Sequence, residues 1–334
     1  MKNLRDFVSC CRPSRLPGTD GHKKSADWIV SKIKQMDTSG ESVLTVEEFD
    51  PDIDYAIEFY NNDFQTKIAS RYQANSPEYK KWKGFTDSVL TTLKSFKGLK
   101  GKNIIWEKKG LLTPDEVIVL GAHYDTIVYN SKTFQVDPRA DMPGADDNGT
   151  GVATLLSMIE ILSELNLAKT VRIIFFDFQE LAFLGSRAYV EKNQADLKKN
   201  MAAYLNVEML GNDTKLFDKT KKLRNYKAYI RKTNDIGHAK DKKIAETIIQ
   251  GGKQGGSAMR WEIMANSYDN SDHSNFWRKG LTAVAFTQDL ENDYNSEKHH
   301  TSNDFAETVN QKSFYYAFRS LTSGVLGWNY DLIR

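Results

Sequence analysis

A chain of 334 residues, 40% apolar and 27% charged, holds enough apolar material for one large α/β domain or two small ones. Its 46 basic and 44 acidic residues leave a formal charge of +2, which argues against a general nucleic-acid binder and against an acidic solvating protein. No apolar run approaches the length of a membrane span.

The first seven residues, MKNLRDF, break any apolar run at Arg5 and Asp6, so they do not read as a signal peptide. As given, the chain reads as soluble and cytoplasmic, or as secreted if a leader has been removed. Cys10 and Cys11 are the only cysteines, and adjacent positions cannot close a loop that constrains a fold. They read as two ordinary thiols. From Gly21 to Met36, Ala26, Ile29, Val30 and Ile33 recur at helical spacing and predict an amphipathic helix. Val43 to Phe49 alternates as a strand does. Residues 55–100, rich in lysine and aromatics without a clean period, read as a partly helical insertion.

VIVLGAHYD, from Val117, is the continuous β-branched run of a strand buried on both faces of a mostly parallel sheet. VRIIFFDF (171–178) is a second such strand. GTGVATLLSMIEILSEL (149–165) lies between them with an apolar helix face, so the three form a βαβ unit. AAYLNVEML (202–210) and LTAVAFTQ (281–288) read as further core strands, and SRAYVEKN (186–193) as a helix start. Residues 212–254 are lysine-heavy, and the overlapping stretch GGKQGGSAM (251–259) supplies four glycines. They read as an exposed excursion.

Ligands for a catalytic metal in an α/β protein belong at the carboxyl ends of the strands, where loops converge. His123 ends the first strand, with Asp125 two residues on and pointing the same way, placed to accept the second ring N–H. Asp146 and Asp147 precede the apolar helix, Asp147 being equally well explained as a helix cap. Glu180 follows VRIIFFDF, Glu208 closes AAYLNVEML, and His300 follows LTAVAFTQ. Two histidines and three carboxylates suit a pair of zinc ions, which with a bridging hydroxide sum to zero charge. Ions roughly 3.5–4 Å apart acidify a shared water and polarise a carbonyl, so acyl hydrolysis is the expected reaction.

The motifs RLPGTDGHKKSADWI, GAHYD, PGADDNGTG, QELAFLGS, LNVEMLG, NSDHSNFW and DYNSEKHHTSND run in order along the chain, which with them resembles the M28 family of zinc peptidases. The resemblance implies a three-layer α/β/α fold with a mostly parallel mixed sheet, as one domain over residues 1–334 with insertions at about 55–100 and 212–265. It also implies metal ligands at His123, Asp146 as the bridge, Glu180, Glu208 and His300, with Asp125 orienting His123. The implied activity is removal of N-terminal residues from peptides with a free N-terminus, using two zinc ions and involving neither nucleic acid nor membrane. Oligomeric state is not readable.

The chain departs from the family pattern twice. Glu208 stands where many members have aspartate, which preserves ligand chemistry. Gln179 stands where the family has the glutamate that acts as general base. Glutamine cannot take up a proton, and base assistance contributes about 10²–10⁴ in rate. A natural pseudoenzyme, an altered reaction using another base such as Asp147 or Asp272, and a deliberate glutamate-to-glutamine variant made to trap substrate all fit. A peptide-binding module without turnover is the alternative function. Glutaminyl cyclase ranks lower: FFDFQELAF resembles that family too, but His299 stands where it has tryptophan. By the same pattern His299 is a bystander, His22 and His238 read as solvent-exposed, and His273 reads equally as a surface or substrate-side residue.

Overall fold

The computed structural model describes residues 1–130, 132–213, 225–292 and 295–333. Eight strands form one sheet in the order β1-β2-β4-β3-β5-β8-β6-β7. They are β1 (Ser42–Phe49), β2 (Gly101–Lys108), β3 (Thr113–His123), β4 (Lys169–Phe176), β5 (Met201–Val207), β6 (Asn225–Ile230), β7 (Arg260–Ala265) and β8 (Ala283–Thr287). The central run β4-β3-β5-β8 is parallel throughout, whereas β1, β2 and β6 pair antiparallel with their inner neighbours. The sheet is therefore mixed around a parallel core.

Period-two alternation sends each central strand's side chains to two layers. On β3, Ile118, Leu120 and Ala122 join the larger core while Val117 and Val119 join the opposite one. On β4, Ile173 and Phe175 divide from Ile174 and Phe176 in the same way. The larger core is closed by α1 (Lys2–Cys10), α2 (Asp20–Met36), α5 (Thr150–Ser163), α8 (His238–Gln254) and α10 (Gln311–Asn329). The smaller is closed by α6 (Leu184–Lys192), α7 (Gln194–Asn200) and α9 (His273–Arg278). Helix α5 has apolar residues on nearly its whole circumference because it packs against strands and helices alike. The remaining helices, α3 (Ile53–Asp63) and α4 (Pro77–Ser95), pack on each other with a π-helical turn between them.

Several expectations need correcting. Within the stretch read as an exposed excursion, β6 is a buried inner strand and α8 packs along α10, while residues 214–224 lie outside the described residues. The signal was masked because α8 alternates lysines with Ala245 and Ile248, and only that stripe is buried. Asp293 and Tyr294 of the last motif also lie outside the described residues. Cys10 and Cys11 are bonded to each other and are not free thiols. Their ring encloses no intervening residue, so it staples no distant elements. His273 is fully buried, its Nε2 2.6 Å from the Tyr268 carbonyl oxygen.

His22, expected at the surface, is buried, with Nε2 2.7 Å from Asp177 Oδ1. Burial alone disfavours its imidazolium, but the charge and hydrogen bond of Asp177 outweigh burial and raise its pKa. The folded state therefore binds the proton more tightly than the unfolded chain does. Stability from this pair is full below the unfolded histidine pKa of about 6.5 and is lost as pH climbs through the raised folded value. His22→Ala removes the counter-charge of buried Asp177, which keeps the N–H groups of Lys102 and Phe178, and costs about 3 kcal/mol. Urea unfolding at about pH 6 and about pH 9 checks this: the gap between parent and variant is larger at the lower pH.

Candidate metal centre

The parallel order β4-β3-β5-β8 brings four carboxyl ends to one edge of the sheet, and the side chains with metal-binding chemistry meet there. His123 ends β3, Glu208 follows β5, and Gln179 and Glu180 follow β4 by a short turn. Asp147 comes from the turn before α5, and His299 and His300 from the loop after β8.

Asp147 lies at the middle of the cluster. Its Oδ1 is 3.3 Å from His123 Nε2, and its Oδ2 is 3.1 Å from His300 Nε2 and 3.2 Å from His299 Nε2. Glu208 Oε1 is 3.5 Å from His123 Nε2 on one side, and Glu180 Oε2 is 2.9 Å from His300 Nε2 on the other. Among the described residues, His123, Asp147 and Glu208 form one group able to hold a metal ion, and Asp147, His299 and His300 form another. Asp147 is common to both.

Asp146, expected as the bridge, is turned away. Its Oδ1 accepts the Gly211 N–H at 2.6 Å and its Oδ2 accepts Asn295 Nδ2 at 2.9 Å. The reason is local: Asp147 has near-extended backbone (φ −110°, ψ 97°), so neighbouring side chains diverge and only one of the pair can face the histidines. His299, expected as a bystander, stacks on His300 with ring centroids 3.6 Å apart and also faces Asp147.

Asp125 holds the site differently from expectation. His123 Nδ1 faces the Asp125 backbone oxygen at 3.3 Å, while the nearer carboxylate oxygen is 3.6 Å away. A carbonyl can only accept, so the Asp125 oxygen favours the proton on Nδ1 and leaves Nε2, the nitrogen facing Asp147 and Glu208, to serve as a metal ligand. The Asp125 carboxylate instead accepts the N–H groups of Gln179 (3.0 Å) and Glu180 (3.1 Å), fixing the turn that carries both.

Two residues outside the expected set lock the loops together. Arg15, 1% exposed, donates to the carbonyl oxygens of Tyr124 (2.6 Å), Pro143 (2.7 Å) and Gly144 (2.9 Å), joining the His123 and Asp147 segments. Burial lowers its pKa to about 10, so it stays charged at neutral pH. Gly144 takes a left-handed φ of 57°, and a Cβ there would lie 2.7 Å from Arg15 Nη2. Asp304 accepts the N–H groups of Asp146 and Asp147 at 2.9–3.1 Å, tying the histidine loop to the aspartate loop. Both residues stand inside motifs quoted above, yet nothing in their spacing reveals these roles.

The backbone here is unusual. Phe178, Ala182, Phe183, Met209 and His300 all have φ between 48° and 66°, a left-handed conformation that costs non-glycine residues about 1–3 kcal/mol each. All five sit in the loops bearing Gln179, Glu180, Glu208 and His300.

Electrostatics point to cations. Burial, followed by the charge of Asp147, pushes Glu180 up to about 7 against the pull of His300. Burial would lower His300, but Glu180 and Asp147 raise it to about 10. His123 Nε2, Asp147 Oδ2 and Glu180 Oε1 are buried with no hydrogen-bond partner in spite of their close approach. Unpaired buried donors and acceptors are costly, and three within one cluster of metal-binding side chains fit metal ions among them. Asp272, considered as a substitute base, is fully buried and outside the lining of the cleft. Gln179 Nε2 lies 3.3 Å from Glu208 Oε1 and 3.4 Å from Ser271 Oγ, which seats the amide as a donor beside the ligand set.

A cleft of about 250 Å³ opens onto these residues. A sequence profile described as Peptidase family M28 matches residues 103–322, which contain every candidate metal ligand above. The chain belongs to peptidase family M28. Aminopeptidase YwaD of Bacillus subtilis is 26% identical to this M28 chain over 241 residues, covering 70% of the chain and 46% of the relative. A probable zinc metalloprotease of Pyrenophora tritici-repentis is 27% identical over 216 residues, covering 58% and 47%. The match thus spans less than half the length of either relative. A glutaminyl cyclase from an Acidobacteriales bacterium has the same fold, with a TM-score of 0.65 at 19% identity over 99% of this chain and 93% of that one. No described helix is long and apolar enough to cross a membrane.

Proposed function

We propose that this M28 chain is a two-zinc aminopeptidase whose turnover is held down by Gln179. The observation that carries the proposal is the placement of Asp147 between His123 with Glu208 and His300 with Glu180. Each flank supplies one imidazole and one carboxylate, a donor set suited to zinc, with Asp147 shared. Bound zinc supplies an acidified water and polarisation of the scissile carbonyl. Asp125 and Tyr60 fix the turn bearing Gln179 and Glu180, Tyr60 by donating its hydroxyl to the Glu180 carbonyl at 2.9 Å. Gln179 stands beside the ligands where a base is needed, and its amide can hold a substrate group by hydrogen bonds but cannot store a proton.

Elemental analysis of the purified chain is the direct test: about two zinc ions per chain are expected, and none would end the proposal. Zinc at about 100 times its dissociation constant stabilises the fold by about 2.7 kcal/mol per site, so chelation lowers the melting temperature and zinc restores it. An unchanged melting temperature contradicts the assignment.

One observation favours a second reading, peptide binding without turnover. The Gln179 amide already donates to Glu208, so the neutral residue sits without like-charge repulsion where a carboxylate would meet it. Equal inactivity of the parent and of Gln179→Glu would select that reading.

A further inference from the structure

The cleft over the ligand cluster has two unlike walls. One holds the polar set Asp147, Gln179, Glu180, Glu208, His299 and His300. The other, adjoining it, is aromatic, and half of its rings, those of Phe59, Tyr60 and Phe85, come from α3 and α4, which precede the region matched by the family profile. Phe59 of α3 meets Phe183 edge-on at 5.8 Å, and Phe85 of α4 meets Tyr129 edge-on at 5.0 Å. Tyr129 in turn stands edge-on to His300 at 5.0 Å. The aromatic wall is thus tied to the ligand cluster and to the helical pair, and the Tyr60 hydroxyl anchors α3 to the Glu180 carbonyl.

Charge on the α3 side is already cancelled. Lys67 and Asp63 are the charged residues that this segment brings to the lining, and they pair with each other at 2.5 Å. A lysine, arginine or glutamate side chain entering against Phe59 and Phe85 would lose hydration without gaining a counter-charge. A benzyl or large aliphatic side chain meets ring edges and faces. At about 250 Å³ the cleft suits one residue, with the remaining peptide outside it.

We propose that Phe59 and Phe85 are specificity-determining residues that select peptides with an aromatic or large aliphatic N-terminal residue. This rests on the aminopeptidase reading for its reaction, but the selectivity is a binding property and can be read without turnover. Calorimetry on the zinc-loaded parent chain compares L-phenylalaninamide, L-alaninamide and L-lysinamide. Phenylalaninamide is expected to bind at least about tenfold more tightly than either of the others, and Phe85→Ala and Phe59→Ala to reduce that ratio about tenfold. Phe85→Leu, which keeps an apolar side chain, retains most of it. In a Gln179→Glu background the kcat/KM ratio for phenylalanyl over alanyl reporters follows the same order. Selective binding with no hydrolysis in either background would remove the peptidase reading and leave the selectivity standing. Absence of binding, equal binding of the three amides, preference for lysinamide, or ratios unmoved in both alanine variants would overturn the proposal.

Discussion

Zinc-loaded Gln179→Glu hydrolyses aminoacyl reporter substrates about 10²–10⁴-fold faster than the parent chain. The replacement is nearly isosteric, and the backbone N–H of residue 179 stays bonded to Asp125, so the new carboxylate occupies the place of the amide. Its neighbour Glu208, 3.3 Å from the amide nitrogen, raises the proton affinity of whichever acid is less well neutralised. A base beside the ligand cluster is thereby tuned toward neutral pH. The gain should fall in kcat, because the proton is taken up on the way to the transition state. A gain confined to a lower KM, or no change, would show that position 179 is not where the proton goes.

Asp147→Ala strips the chain of metal at both sites. One carboxylate lies between two imidazole–carboxylate pairs, so its removal takes a donor from each. Changes to groups that only orient ligands cost about 10–100-fold in metal affinity, and loss of a shared donor costs more. Asp146→Asn is the matched control: it keeps an oxygen acceptor for the Gly211 N–H, and the Asn295 amide, turned over, accepts from its new Nδ2. Zinc content near zero in the first variant and near the parent value in the second is the expected outcome. The reverse pattern would return the bridging role to Asp146.

The parallel core of the sheet was legible because its strands are buried on both faces, which writes an unbroken apolar run into VIVLGA and VRIIFF. Strand ends then placed His123, Glu180, Glu208 and His300 near one edge without any knowledge of contacts. The choice between Asp146 and Asp147 was not legible, because it turns on the backbone angles of a single residue. Arg15 and Asp304 escaped notice for a related reason: their partners are backbone groups more than a hundred residues away, and such pairing leaves no trace in spacing. The inner strand β6 was hidden by Lys227, which is buried through pairing with Glu262 and Asp289.

The left-handed residues around the ligand loops bear on how such a protein can change over time. Substitutions that let Phe178, Ala182 or Phe183 relax would make the chain sturdier while scattering its donors. Pressure for robustness and pressure for coordination therefore pull this edge of the molecule in opposite directions. A lineage released from the second would lose the cluster first and the sheet last.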